Sequence, residues 1–312
     1  MATLKSTTTS IEKGASNLAV IAWIVILVWG ELPVIVLRIF VPAGASEPYI
    51  PPWVAWVQVV LLAVFWLVTQ ISPSLKPLGG FTLALIAFML GAAFIQPAIW
   101  RSAIVASWLN EASWGMKQIA IYGSKLITVT LMALTLIGSG IGRQELFLTL
   151  GNPRSPAKPT PFLPGLKEPL PWGKVVRNLL PFFIVPMLIV LWVQIRPDAT
   201  QFSRVLIFLP AIILASTFNA FSEEFQFRSM LLPRLGPVLG ASQAVLMTSV
   251  AFGLGHYGPA NNPNGLFGAS LAGYLGWVAA KSMIETRGLV WAFVLHFLAD
   301  FVIFSFSAMV AG

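Results

Sequence analysis

An all-α, polytopic transmembrane bundle is the fold class that this 312-residue sequence predicts. Three features predict it: 57% of the residues are hydrophobic, only 10% are charged, and the apolar residues fall in long runs. A soluble domain is about one quarter charged and about 45–50% apolar. The surplus here has no place on a water-facing surface, which excludes a soluble enzyme, a nucleic-acid-binding module and a disordered chain. A helical span takes about 20 apolar residues, so the sequence has room for about eight or nine spans.

The chain opens on a polar tail, residues 1–16, with Lys5 and Lys13. Residues 18–30 are apolar, and the pattern resumes beyond Glu31 and Pro33 as far as Phe40. Ala43-Gly44-Ala45 resembles a cleavage site, but the apolar stretch before it is too long for a signal peptide and is broken by a charge. An uncleaved first span is expected. Further spans are predicted at residues 53–71, 81–100 and 119–141. Residues 142–177 differ: they are rich in Pro and carry Arg143, Arg154, Lys158, Lys167, Lys174 and Arg177. They read as a basic cytoplasmic loop at the membrane surface. Spans then resume at 179–195, 205–221, 238–255, 266–280 and 289–310. The chain thus divides into amino-terminal spans of unassigned role (1–141), the basic loop (142–177) and a carboxyl-terminal core (178–312). It shows no convincing internal repeat, which argues against a transporter built from inverted halves.

Nineteen basic and eleven acidic residues give a net charge of +8. The basic residues fall mostly in loops, as in proteins anchored against an anionic cytoplasmic leaflet. No basic stripe interleaves with exposed aromatics, so nucleic acid is not an expected partner. The tail, the Lys76 loop and the long basic loop fall on one side, and the 41–52 loop, without Lys or Arg, falls on the other. A cytoplasmic amino terminus is the orientation that the positive-inside rule gives. Residues 101–118, with Arg101 and Lys117, fit less well and read as an interfacial stretch anchored by Trp108 and Trp114. Cysteine is absent, which excludes disulfides, thiolate zinc sites, cysteine nucleophiles and palmitoylation.

Ionisable groups in lipid are expensive and mark candidate sites. Three groups stand out: Glu223-Glu224-Phe225-Gln226-Phe227-Arg228, Phe252-Gly253-Leu254-Gly255-His256, and His296-Phe297-Leu298-Ala299-Asp300. The chain has two histidines, and both are here. On a helix Glu224 and Arg228 share a face and can pair, while Glu223 points about 100° away and stays available as a general base. His296 and Asp300 also share a face. Gly253 and Gly255 permit close approach of a helix or of substrate backbone before His256. Each group alone has a structural reading: a solvated helix end, a packing histidine, a buried pair fixing register. Together they suit activation of water for attack on a carbonyl. Other intramembrane hydrolytic patterns are missing. The chain has no His-Glu-x-x-His zinc motif and no Gly-x-Gly-Asp pair. Gly268-Ala269-Ser270 is followed by Leu271, a poor nucleophile loop. Gly138-Ser139-Gly140 reads as tight helix packing.

The ordered set Glu-Glu-x-x-x-Arg, Phe-x-x-x-His and His-x-x-x-Asp, over residues 203–306, resembles the CPBP family of type II CAAX prenyl endopeptidases and their bacterial relatives, some linked to bacteriocin immunity. The resemblance implies a helical membrane core with an intramembrane catalytic cavity, in the cytoplasmic membrane of a bacterium. It implies hydrolysis of a peptide bond in a peptide or protein tail presented from membrane lipid. Glu223 would be the base on water and His256 would position or polarise that water. His296 and Asp300 would stabilise the oxyanion, Glu224 and Arg228 would support the site, and Phe252 would wall it. Asp300 stands where the family often has Asn; it donates to an oxyanion only when protonated, and otherwise would orient His296. A zinc ion on His256, His296 and Asp300, with Glu223 as base, is the alternative to the favoured metal-free mechanism. The rival functions are a proton-coupled carrier and a non-catalytic peptide-binding immunity protein.

A straight span over 238–255 would separate its ends by about 27 Å. For Glu223 and His256 to share a site, Glu223 must then lie deep on a longer helix, or a segment must re-enter. The polar stretch 257–265, with Asn261, Asn262 and Asn264, is expected to cover a water cavity.

Overall fold

The computed structural model describes residues 17–28, 30, 32–39, 52–257 and 265–311. The tail, the 41–50 loop with its cleavage-like Ala43-Gly44-Ala45, and most of the expected cavity cover (258–264) lie outside the described residues.

The described residues are mostly helical, as expected. The helices are α1 (Asn17–Val28), α2 (Leu32–Ile39), α3 (Pro52–Ile71), α4 (Gly79–Met89), α5 (Gln96–Trp100), α6 (Ala103–Glu111), α7 (Trp114–Gly138), α8 (Trp172–Ile195), α9 (Ala199–Glu224), α10 (Leu232–Leu239), α11 (Ala241–Gly255), α12 (Leu266–Thr286) and α13 (Val290–Met309). One short antiparallel pair, β1 (Pro156–Ala157) with β2 (Leu170–Pro171), lies in the basic loop.

Six helical stretches among the described residues are long and apolar enough to cross a membrane, against the eight or nine expected: Trp53–Ile71, Lys76–Trp100, Trp114–Gly138, Trp172–Ile195, Ala199–Leu239 and Val290–Met309. The shortfall has local causes. The expected first span divides into α1 and α2, and α2 has only 8 residues. The 15 residues of α11 rise about 22 Å, short of a hydrocarbon core of about 30 Å. The 21-residue α12 is long enough, but with Gly268, Gly273, Gly276 and Lys281 in it it is not apolar enough. On the helices that qualify, large apolar side chains face outward, such as Phe182 at 75% exposure and Leu206 at 74%. Water would penalise that surface; lipid does not.

The chain forms two compact units. One comprises the residues up to Met89, Thr135–Ile141 and Phe227–Ala280. Within it α3 packs on α4, and α10 on α11 and on the 3-10 turn Lys76–Leu78. Trp23 Nε1 donates to Gln243 Oε1 at 3.2 Å. Close approach at Gly253 is as expected: a Cβ there would lie 2.7 Å from the Ala269 carbonyl oxygen and 3.1 Å from Gly273 Cα. The reading of Gly138-Ser139-Gly140 as tight packing is corrected. A Cβ on Gly138 meets nothing within 4 Å, and Gly140 (φ +85°) ends α7 in the left-handed region that glycine tolerates.

The other unit comprises Leu90–Leu134, Gly142–Gln226 and Lys281–Gly312. Its centre is the α9–α13 pair, with α8 packed on α13. Ile212, Ala215, Phe304 and Ala308 are buried between the pair, and Trp114, Tyr122, Val205, Phe208 and Phe301 pack around them. Trp114, expected as an interfacial anchor, packs at a tilt against Phe208 with ring centroids 5.1 Å apart; Trp108 on α6 is 38% exposed. Asp198 and Gln201 start α9 with a reciprocal capping box. Arg204 fixes the far end of the pair by donating to the carbonyls of Met309 (3.1 Å) and Ala311 (2.5 Å).

The basic loop is tied down. Asn152 N donates to Thr286 O at 2.7 Å, Trp291 Nε1 to Pro153 O at 2.9 Å, and the buried Trp172 Nε1 to Glu285 Oε2 at 3.0 Å.

Candidate active site

Glu223 and Glu224 are the last two residues of α9 before a π-helical turn, Phe225–Ser229. The helical stretch runs on through that turn to Leu239, 41 residues in all from Ala199. Glu223 lies within that stretch, sixteen residues before its end. A π turn inserts one residue into the hydrogen-bond ladder and rotates the helix beyond it, a device frequent at functional sites.

The helical period aligns two faces. Asn219 and Glu223, four apart, project from α9, and His296 and Asp300, four apart, project from α13. Because α9 and α13 pack along their length, the faces meet. His296 Nδ1 lies 2.8 Å from Glu224 Oε1. His296 Nε2 lies 3.4 Å from Glu223 Oε2 and 3.7 Å from Asp300 Oδ2. Asn219 Nδ2 donates to Asp300 Oδ2 at 3.0 Å. From α7, Lys125 Nζ donates to Glu223 Oε1 at 2.6 Å and to Asn219 Oδ1 at 2.5 Å. Tyr122 lies beneath the ammonium, its ring centroid 5.3 Å from Nζ, and packs on Phe304.

Glu224, His296 and Asp300 are buried, at 1%, 5% and 8% exposure, whereas Glu223 at 12% and Lys125 at 24% are partly exposed. Burying this many ionisable groups is costly unless they satisfy one another. Such a cluster is a site candidate on physical grounds.

The arrangement assigns hydrogens. A carboxylate only accepts, so His296 Nδ1 carries a hydrogen and gives it to Glu224. Glu224 thereby orients the imidazole, a task the sequence offered to Asp300. Asp300 Oδ2 instead accepts from Asn219, and its distance from Nε2 is too long for a direct hydrogen bond. Glu223 is not left without a charged neighbour either, since Lys125 holds one of its oxygens.

His256, Phe252 and Arg228 lie in the other unit and are grouped there. His256 caps α11; its Nδ1 is 2.8 Å from the Phe252 carbonyl oxygen, and its ring lies 4.3 Å from the Phe252 ring. That carbonyl can only accept, so Nδ1 carries the hydrogen of that contact. Arg228 Cζ stands 3.9 Å over the Phe252 ring, a cation–π contact. Gly276 makes the room: a Cβ there would come within 2.5 Å of Arg228 Nη2.

Sequence reasoning missed Asn219, Tyr122 and Lys125. Asn219 stands one helical turn before Glu223, and Lys125 is a lone ammonium in an apolar segment. Both signals were present. Among the described residues no group of three His, Cys, Asp or Glu side chains is arranged to hold a metal ion.

Residues 205–302 match the family described as type II CAAX prenyl endopeptidase Rce1-like. The matched segment contains the Glu-Glu, Phe-x-x-x-His and His-x-x-x-Asp motifs and Asn219; Lys125 lies outside it. No curated protein and no solved structure matches the chain. The match covers about a third of the chain and supports its resemblance to the CPBP family, a family of membrane proteases.

Proposed function

We propose that this multi-pass membrane protein is an intramembrane endopeptidase that hydrolyses a peptide bond in a membrane-presented peptide or protein tail, with Glu223 as the base that activates water. The reading is carried by the apposition of Glu223, Glu224, His296 and Asp300. The family match to residues 205–302 supplies the reaction class.

In this mechanism Glu223 Oε2 takes a proton from water as the water oxygen bonds to the scissile carbonyl carbon. The carbonyl π electrons move to oxygen, forming a tetrahedral oxyanion. His296, whose Nδ1 hydrogen is committed to Glu224, serves the oxyanion through Nε2 as an imidazolium, bringing both a hydrogen and a positive charge. Asp300 joins it as a protonated acid; with Asn219 donating to Oδ2, the acid hydrogen sits on Oδ1. Collapse of the intermediate breaks the C–N bond, and Glu223 returns its proton to the leaving amine. By the resemblance, Glu224 serves as a support of this site.

The test uses purified full-length protein in lipid discs, Glu223→Gln beside wild type, and a library of membrane-anchored peptides read by mass spectrometry. The expected result is a set of wild-type products that E223Q does not yield. Loss of those products in a chelator, and return with zinc, would favour the metal alternative. Identical peptide patterns with and without the protein would remove the protease reading and leave the carrier and the peptide-binding protein.

A further inference from the structure

Glu223 is held at one oxygen by a residue from outside the family-matched segment. Lys125 stands in the middle of α7, a 25-residue span. A lysine in such a place is costly, and near a span's end it would extend to the interface. Lys125 instead turns its ammonium inward, to two acceptors on one face of α9. The Asn219 amide oxygen at 2.5 Å and Glu223 Oε1 at 2.6 Å each take one of its three hydrogens. The Tyr122 ring lies under it, 5.3 Å from Nζ.

The consequence for Glu223 is directional. A glutamate side chain has three torsions, and the carboxyl group swings unless something fixes it. With Oε1 anchored on Lys125, Oε2 is turned to the His296 side, 3.4 Å from Nε2. The same amide closes the frame, since Asn219 Nδ2 donates to Asp300 Oδ2. One asparagine thus ties the Lys125–Glu223 pair on α7 and α9 to Asp300 on α13. A general base has to be held within about half an ångström of its working position, and this frame supplies the constraint.

We propose that Lys125 is the positioning residue for Glu223: its ammonium, steadied by Asn219, holds one carboxylate oxygen so that the other faces His296. The inference rests on the protease reading for its catalytic consequence, but the Lys125–Glu223 pairing can be tested apart from it.

Two measurements on the full chain in lipid discs serve. The first is labelling by a hydrophobic carbodiimide, mapped to Glu223 by peptide mass spectrometry; a carboxylate bound to an ammonium is shielded from this reagent. Lys125→Met should speed Glu223 labelling about tenfold or more, and Lys125→Arg, which keeps the charged donor, should stay near wild type. The second is cleavage kinetics. Lys125→Met should lower kcat by about 10- to 100-fold with KM little changed, and Lys125→Arg should restore most of it. Lys125→Gln, which keeps a polar reach to Asn219 without the charge, replaces the Met variant if that one fails to fold, and melting temperatures are compared throughout. Unchanged labelling in folded Lys125→Met or Lys125→Gln overturns the proposal, whatever the kinetics. Faster labelling with kcat intact overturns the positioning role. Faster labelling in a protein whose wild type cleaves nothing upholds the pairing and removes the protease reading.

Discussion

His296 gives its Nδ1 hydrogen to Glu224 at 2.8 Å and turns Nε2 toward Glu223 and Asp300. One ring is thereby shared by two carboxylates of α9, one bonded to Nδ1 and one facing Nε2. Adjacent residues on a helix point about 100° apart, so the Glu-Glu pair can address the two nitrogens separately.

Replacing the orienting carboxylate tests this division. Glu224→Gln keeps an acceptor for Nδ1 but removes the charge. A charge-assisted hydrogen bond contributes about 1.5–3 kcal/mol, so kcat should fall by about 10- to 100-fold with KM nearly unchanged. Steady-state kinetics beside a thermal melt would check it; a fall in KM alone would argue for a different role.

The two glycine environments make opposite predictions. Gly253→Ala places a Cβ 2.7 Å from the Ala269 carbonyl oxygen, a backbone atom that cannot step aside, so α11 and α12 must separate at a cost of about 1–3 kcal/mol. Gly138→Ala meets nothing within 4 Å and should be neutral or stabilising by up to about 1 kcal/mol. Melting temperatures of the two variants, in the same lipid, read the contrast.

Arg204 closes the carboxyl-terminal end of α13 by donating to the Met309 and Ala311 carbonyls. Arg204→Ala leaves that end to fray. Hydrogen–deuterium exchange should rise in residues 305–311 while residues 290–300 stay protected. Uniform exchange across α13 would show that this cap does not set local stability.

Asp198, at the start of α9, is held below its ordinary carboxylate value of 3.8 by hydrogen bonds, first from the Thr200 side chain and then from the Gln201 backbone. A depressed folded value means that the cap's contribution is fully present above the ordinary value and is lost as pH falls through the lower folded one. The melting-temperature difference between wild type and Asp198→Ala should be flat at neutral pH and shrink in strong acid. A difference that grows with acidity would contradict the capping role.

The membrane class was legible because hydropathy is a bulk property: residues 53–71 come out as a helix of the length expected. The span count was not, because apolar composition does not reveal a break. Residues 18–30 and the apolar pattern resuming beyond Glu31 and Pro33 are expected to form one span, and the described residues fall into α1 and α2. In the site, pairs on one helix were legible from the four-residue period, as with His296 and Asp300. Partners contributed by another helix were not: Glu224 meets His296 across 72 positions, and Lys125 meets Glu223 across 98. Periodicity carries no information about such pairs. The basic loop reads as surface chain, and its attachment to Glu285 through Trp172 Nε1 leaves no trace in the local pattern.

The most direct measurement of the central claim is cleavage in water enriched in oxygen-18. Hydrolysis by a Glu223-activated water puts one solvent oxygen into each new carboxyl terminus. Wild-type protein in lipid discs should give peptide fragments whose new carboxyl termini each carry one oxygen-18, and Glu223→Gln, folded and equally abundant, should give none. Equal labelled product from the two proteins, or no new termini from the folded wild type, would contradict the account.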